Sequence, residues 1–249
     1  MIVKLLIKLI TNKMNFYSTL SILTRKGRIR TFIQVGAHDG VMHDPLREFI
    51  LKNNWTGLFI EPQKEMLEKC KKNYVDVEHL TFINCAVHPT LSNVKLYKVV
   101  NPQDYSHTGW ASINPGRFKN TLYENRIKTE NVRALPLMQI IKDNNFDAVD
   151  LLQIDTEGFD ADVISMFDFN SFNPVLIQFE HIHLSEEVHK YTCNNLTSIG
   201  YYLIKKKNDT FAIRKDLITI WFILGYVVFR MSASLTSRMK NIFNSADSE

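Results

Sequence analysis

The chain has 249 residues, 45% hydrophobic and 22% charged, with 9 Gly, 7 Pro and 3 Cys. These are globular proportions, sufficient for one full-sized domain, and they exclude disordered, collagen-like and coiled-coil chains. The net charge of +4 is unevenly spread: residues 1–30 hold seven basic and no acidic side chains, and residues 205–249 eight basic and four acidic. The stretch 31–204 is therefore acidic, which argues against a nucleic-acid partner.

The first 30 residues form a basic amphipathic segment in which Lys4 and Lys8 share one helix face. Lys8 interrupts the apolar stretch that a secretory signal needs. Thr31 to Val35 reads as a strand ending at Gly36, followed by a helix from Pro45 to Lys52 with Asp44 as its N-cap. Gly57 to Ile60 is a second strand, and Lys64 to Tyr74 a second helix with Met66, Leu67 and Cys70 at helical spacing. Leu80 to Val87 is a third strand, and Val94 to Val99 a fourth, paired with the third or beside it. Residues 101–130 are polar and punctuated by Asn, Pro and Gly, the pattern of a long excursion over the domain.

A helix from Leu137 to Lys142, a strand from Val149 to Ile154 and a helix from Phe159 to Phe167 follow. Pro174 to Phe179 is another buried strand. Ser185 caps a helix running towards Ile199, with Glu186 and Glu187 favourable in its first turn. Tyr201 to Ile204 and Thr210 to Ile213 form a final hairpin. Strands alternating with helices predict an α/β fold, a doubly wound and mostly parallel sheet covered on both faces.

In such sheets ligands bind beyond the carboxyl ends of the strands, so the polar residues there carry the chemistry. Gly36-Ala37-His38-Asp39-Gly40 follows the first strand, and Glu61 ends the second, 21 residues after Gly40. A glycine turn followed by a carboxylate able to accept from ribose hydroxyls points to a nucleoside cofactor. The G-x-G-x-x-G spacing that serves a pyrophosphate is missing, and so is a P-loop. S-adenosylmethionine then fits better than a dinucleotide. Asp155, Glu157, Glu180, His181 and His183 also stand after strands, where a base for the reaction is expected. His181 and His183 would point the same way if the strand before them continued. The D-x-E-x-x-D spacing of Asp155, Glu157 and Asp160 is too generic to assign a metal. Cys70, Cys85 and Cys193 show neither metal-ligand spacing nor an even count, and fit a reducing, cytoplasmic setting.

The blocks Gln34 to Gly40, Phe59-Ile60-Glu61-Pro62, Asn84-Cys85-Ala86-Val87 and Val149 to Asp160 resemble, in this order, the FkbM family of S-adenosylmethionine-dependent methyltransferases. The resemblance covers about residues 31 to 215 and leaves 1–30 and 216–249 outside it. It implies a class I, Rossmann-like fold with seven strands in the order 3-2-1-4-5-7-6, the last antiparallel. It further implies O-methylation, commonly of sugar or polyketide hydroxyls. On this resemblance Gln34, Gly36, Ala37, His38, Asp39 and Gly40 would surround the methionine part of the cofactor. Glu61 and Pro62 would hold the ribose, Asn84, Cys85 and Ala86 would lie near the adenine, and Asp155 would face the methyl-transfer site. The family usually has an acid where Gln34 stands; Gln34 keeps an acceptor and loses the charge.

The expected acceptor is a sugar or glycan hydroxyl, with a lipid, polyketide or protein acceptor, or a non-catalytic binding module, as the alternatives. Tyr105, His107, Trp110, Arg117 and Tyr123 stand in the excursion where a sugar ring could be covered. Leu217 to Phe229 is an uncharged apolar run of 13 residues, about 20 Å as a helix against a hydrocarbon core of about 30 Å. With its basic flanks it suggests peripheral membrane contact through the two tails, or else packing on the sheet or a homodimer interface.

Overall fold

The computed structural model describes residues 10–11, 13–219 and 222–231. Seven strands form the main sheet: β1 (Thr31–Val35), β2 (Thr56–Ile60), β3 (Leu80–Ile83), β7 (Leu151–Ile154), β8 (Leu176–Glu180), β9 (Tyr201–Lys205) and β10 (Asp209–Arg214). Their spatial order is β3-β2-β1-β7-β8-β10-β9, with β10 antiparallel to both neighbours. Counted within this sheet, that is the 3-2-1-4-5-7-6 order of the class I methyltransferase fold. β4 (Ala86–Val87), β5 (Asn93–Val99) and β6 (Ile127–Leu135) form a separate three-stranded sheet in the order β4-β6-β5.

The sheet is buried on both sides because successive side chains alternate between two apolar layers. Phe32, Phe59, Leu151, Leu176 and Phe211 belong to one core, with residues of α1 (Phe16–Arg25), α2 (Arg47–Asn53) and α3 (Lys64–Asn73). Ile33, Leu58, Leu152, Ile177 and Ala212 belong to the other, with residues of α4 (Leu137–Asp143), α5 (Asp160–Met166) and α6 (Glu186–Ser198). Ser185 caps α6 as expected, accepting from Val188 N at 3.2 Å.

Four expectations about elements need correction. The helix after the glycine turn starts at Arg47, and Asp44 does not cap it; its carboxylate accepts from Leu46 N, Gln34 Nε2 and the Tyr74 hydroxyl. The stretch 80–87 is two strands, broken at Asn84-Cys85, where the chain leaves the main sheet. β5 pairs with β6, not with β3. β6 itself begins inside the stretch read as an excursion, because its burial pattern is largely exposed and gives no apolar alternation.

The described parts of the tails share the first core. Met14, Leu20 and Leu23 are buried together with Phe222, Ile223 and Tyr226 of the helix 222–231. The Tyr226 hydroxyl donates to Lys13 O at 3.2 Å, and the Arg25 guanidinium lies 5.0 Å from the Phe229 ring centroid. A boundary at residues 31 and 215 therefore cuts through one packed layer. No helix among the described residues is long and apolar enough to cross a membrane. The basic positions Lys4, Lys8, Arg238 and Lys240 lie outside the described residues.

Candidate active site

A cavity of about 430 Å³ opens beyond the carboxyl ends of β1, β2, β7 and β8. Two 3₁₀ turns, Tyr105–Trp110 and Pro115–Phe118, contribute His107, Trp110 and Arg117 to its wall. The excursion thus covers the strand ends, whereas Tyr105 and Tyr123 are used for support. The Tyr105 hydroxyl donates to Asp39 Oδ2, and Tyr123, fully buried, donates to or accepts from His107 Nδ1 at 2.8 Å.

One end of the cavity is made by β1 and β2. Gly36 has φ +83°, and a Cβ there would stand 1.7 Å from the carbonyl oxygen of Asp155, so only glycine lets β1 and β7 end this close together. Gly36 N and Ala37 N both donate to Ile60 O, which folds the turn back onto β2. The Glu61 carboxylate, 4% exposed, accepts from His38 N at 2.9 Å and Gln63 N at 2.8 Å. Burial pushes its pKa up to about 7 in spite of these two donors. Each oxygen keeps a further lone pair for a ligand hydroxyl.

Gly36, Ala37, His38, Glu61, Pro62, Cys85 and Ala86 all line the cavity. Asp39, Gly40 and Asn84 do not line it, and each has a structural role. Asp39 Oδ1 accepts from Val41 N and Met42 N. Gly40 makes room for α3, since a Cβ there would stand 2.6 Å from the Tyr74 ring and 2.7 Å from Cys70 Sγ. Asn84 Nδ2 donates to the carbonyls of Glu61 and Pro62, holding the bend between β3 and β4.

Gln34 and Gln153 face each other across β1 and β7, and Gln178 continues the row on β8. They are 2%, 4% and 9% exposed, and each leaves Oε1 without a donor. Gln34 and Gln153 line the cavity. Gln153 had no signal in the sequence beyond being a polar residue inside an apolar strand.

The other end is made by the loops after β7 and β8. Asp155 is open to the cavity, with protein around its remaining sides. Burial, and then the negative charge of Glu157, raise its carboxyl well above the usual carboxylate range. Glu157 sits in the left-handed region at φ +56°, its carboxylate paired with the Arg117 guanidinium and its carbonyl accepting from Ser112 Oγ at 2.9 Å. His183 Nε2 is 3.2 Å from Glu157 Oε2 and 3.6 Å from Glu180 Oε2. Burial, and next Asp155, push the Glu180 carboxyl up to about 10. Gly158, φ +104°, lets the two loops meet, since a Cβ there would come within 3.3 Å of His183 Cβ.

Asp160, fully buried, ties the loops together. Its Oδ2 accepts from Thr156 Oγ1 at 2.8 Å and its Oδ1 from Glu180 N at 3.1 Å.

His181 does not join His183. β8 ends at Glu180, and the chain turns so that the His181 ring stacks on His189, centroids 4.4 Å apart, with Nδ1 3.1 Å from Thr210 Oγ1. It is 7% exposed, and burial pushes its pKa down to about 4, so it is neutral and off the cavity.

The chain matches the family described as the Methyltransferase FkbM domain over residues 34–216. No curated protein matches it in sequence. Among solved structures, a methyltransferase FkbM from Methylobacillus flagellatus KT is 14% identical over 75% of this chain and 44% of that chain, with a TM-score of 0.46. The fibrillarin pre-rRNA processing protein of Methanococcus jannaschii is 10% identical over 76% of this chain and 67% of that one, TM-score 0.41. A ribosomal protein L11 methylase from Lactobacillus delbrueckii subsp. bulgaricus is 12% identical over 80% and 77%, TM-score 0.42. The chain spans less than half the length of the Methylobacillus protein.

Proposed function

The chain belongs to the FkbM methyltransferase family, and from that membership we propose that it is an S-adenosylmethionine-dependent O-methyltransferase acting on a sugar or glycan hydroxyl. The observation that carries the reading is the division of one cavity between Glu61 at one end and the open carboxylate of Asp155 at the other. The residues present fit the cofactor. Glu61 offers acceptors to ribose hydroxyls, and the donor-free Oε1 atom of Gln34 suits an ammonium group. When bound, the cofactor supplies a methyl group that an oxygen lone pair displaces from a sulfonium, leaving a neutral thioether.

A sugar hydroxyl is a weak nucleophile and needs its proton removed as the bond to carbon forms. Asp155 takes that proton. A carboxyl raised by burial and like charge is a stronger base than an exposed one, and it is already turned to the cavity. Trp110 and His107 line the cavity wall as a packed pair, and Arg117 lies over the Trp110 ring, 4.7 Å from its centroid, while keeping Glu157 in place. The three free thiols, two of them buried, suit a reducing cytoplasm.

Calorimetry with S-adenosylmethionine tests the cofactor, and transfer of a labelled methyl group to a glycan panel, read by mass spectrometry, tests the acceptor. Binding without transfer to any hydroxyl would leave a cofactor-binding module. No binding would remove the reading.

A further inference from the structure

We propose that Glu157, Glu180 and His183 bind a divalent cation at the Asp155 end of the cavity. The three side chains come from the loop after β7, the last residue of β8 and the loop that follows it, and place one donor atom each within 4.8 Å of the others. An octahedral ion with ligands at about 2.1 Å holds neighbouring ligand atoms about 3 Å apart. The separations of 3.2 Å and 3.6 Å from His183 Nε2 to the two carboxylates lie close to that spacing.

A hydrogen-bonded cluster explains the arrangement less well. His183 Nε2 carries at most one proton, which can serve only one of the two carboxylates. Glu180 Oε2 is buried and has no hydrogen-bond partner. An ion placed among the three serves all of them at once. Two further acceptors on the same cavity want a positive partner. Gln153, 4% exposed, leaves Oε1 without a donor, and so does Asn208 with its buried Oδ1. Arg117 pairs with Glu157 and leaves Glu180 with His183 as its nearest cationic partner, at 3.6 Å. One imidazole with two carboxylates suits Mn²⁺ among the common divalent ions, and Mg²⁺ less closely. Use of the ion to acidify an acceptor hydroxyl rests on the methyl-transfer reading; binding of the ion does not.

The test is a titration of Mn²⁺ into the full chain, stripped with a chelator, without cofactor or acceptor, following the electron paramagnetic resonance of free Mn²⁺. One equivalent should vanish from the free signal. Glu180→Gln and His183→Ala should each weaken binding by at least about tenfold, since losing a ligand costs no less than losing an outer-shell partner. Glu65→Gln on the exposed face of α3 should change nothing. An undiminished free signal with the wild-type chain overturns the proposal, whatever the variants do. Variants that bind as the wild type does, while keeping its circular dichroism, place the ion elsewhere and overturn it too. Retained Mn²⁺ binding with no S-adenosylmethionine binding would remove the methyl-transfer reading and leave this site.

Discussion

The two ends of the cavity are built from different materials. At the β1–β2 end a single carboxylate, Glu61, is held by two backbone N–H groups, and the approach is shaped by a glycine whose neighbour is backbone. At the β7–β8 end Asp155, Glu157 and Glu180 crowd together, and Arg117 and His183 hold the two glutamates through side chains. Backbone donors are positioned by strand register and survive most substitutions. A side-chain cluster depends on each member, so it can be retuned one residue at a time. The first end suits a ligand whose shape never changes; the second suits the part of the reaction that differs between enzymes.

The largest effect should come from the second end. Asp155→Asn should lower turnover by about 10²- to 10⁴-fold, the contribution of a positioned base, while the cofactor dissociation constant stays near wild type. Turnover at saturating acceptor close to wild type would move the base elsewhere.

Gly36→Ala tests the backbone construction of the first end. A side chain at this positive φ costs about 1–3 kcal/mol, and the Asp155 carbonyl must also move. Urea unfolding should show the loss, and calorimetry weaker cofactor binding. An unshifted midpoint would mean that the two strand ends are not packed as described.

Glu61→Ala should weaken cofactor binding by about 1.5–3 kcal/mol, the range for a hydrogen bond to a charged group. The same residue predicts a pH dependence. Its folded pKa of about 7 stands above its ordinary value, so between about pH 4.5 and 7 the unfolded chain has released this proton and the folded one has not. Rising pH through that window therefore destabilises the ligand-free protein. Glu61→Gln removes this titration, so its stability relative to wild type should rise across the window and level off above it. Unfolding free energies that track each other at every pH would place the proton on another group.

The smallest effect should be that of His181→Asn. The ring lies off the cavity against His189 and Thr210. Stability should fall by about 1 kcal/mol, the worth of one hydrogen bond, and turnover should not change. A large loss of turnover with normal stability would bring His181 back to the reaction.

The mostly parallel sheet with an apolar layer on each face was legible from the alternation of elements, whereas the strand order was implied only by the family resemblance that the motifs at strand ends carry. Those signals are local: a run such as Leu151 to Ile154, apolar but for Gln153, reads as a buried strand whichever strands flank it. Glu61 was found in the same way, because a carboxylate directly after a buried strand stands where ligands gather. The polar positions that matter at the other end were legible only as a set. Only Ile182 separates His181 from His183, yet the turn after Glu180 sends one ring to α6 and the other to Glu157. Asn84, Asp39 and Gly40 sit inside the right motifs and do structural work, since a motif gives a place along the chain and not the direction of a side chain. β6 escaped notice because its partner β5 leaves most of it exposed, and an exposed strand carries little hydrophobic pattern. The row of Gln34, Gln153 and Gln178 joins Gln34 to two residues more than 100 positions away, and no spacing in one chain encodes it. The sequence by itself determined most of the strands and helices and which polar residues follow the strands of the main sheet. Only the tertiary structure decided which polar side chains meet there, because that depends on register between distant strands and on turns that a single backbone angle redirects.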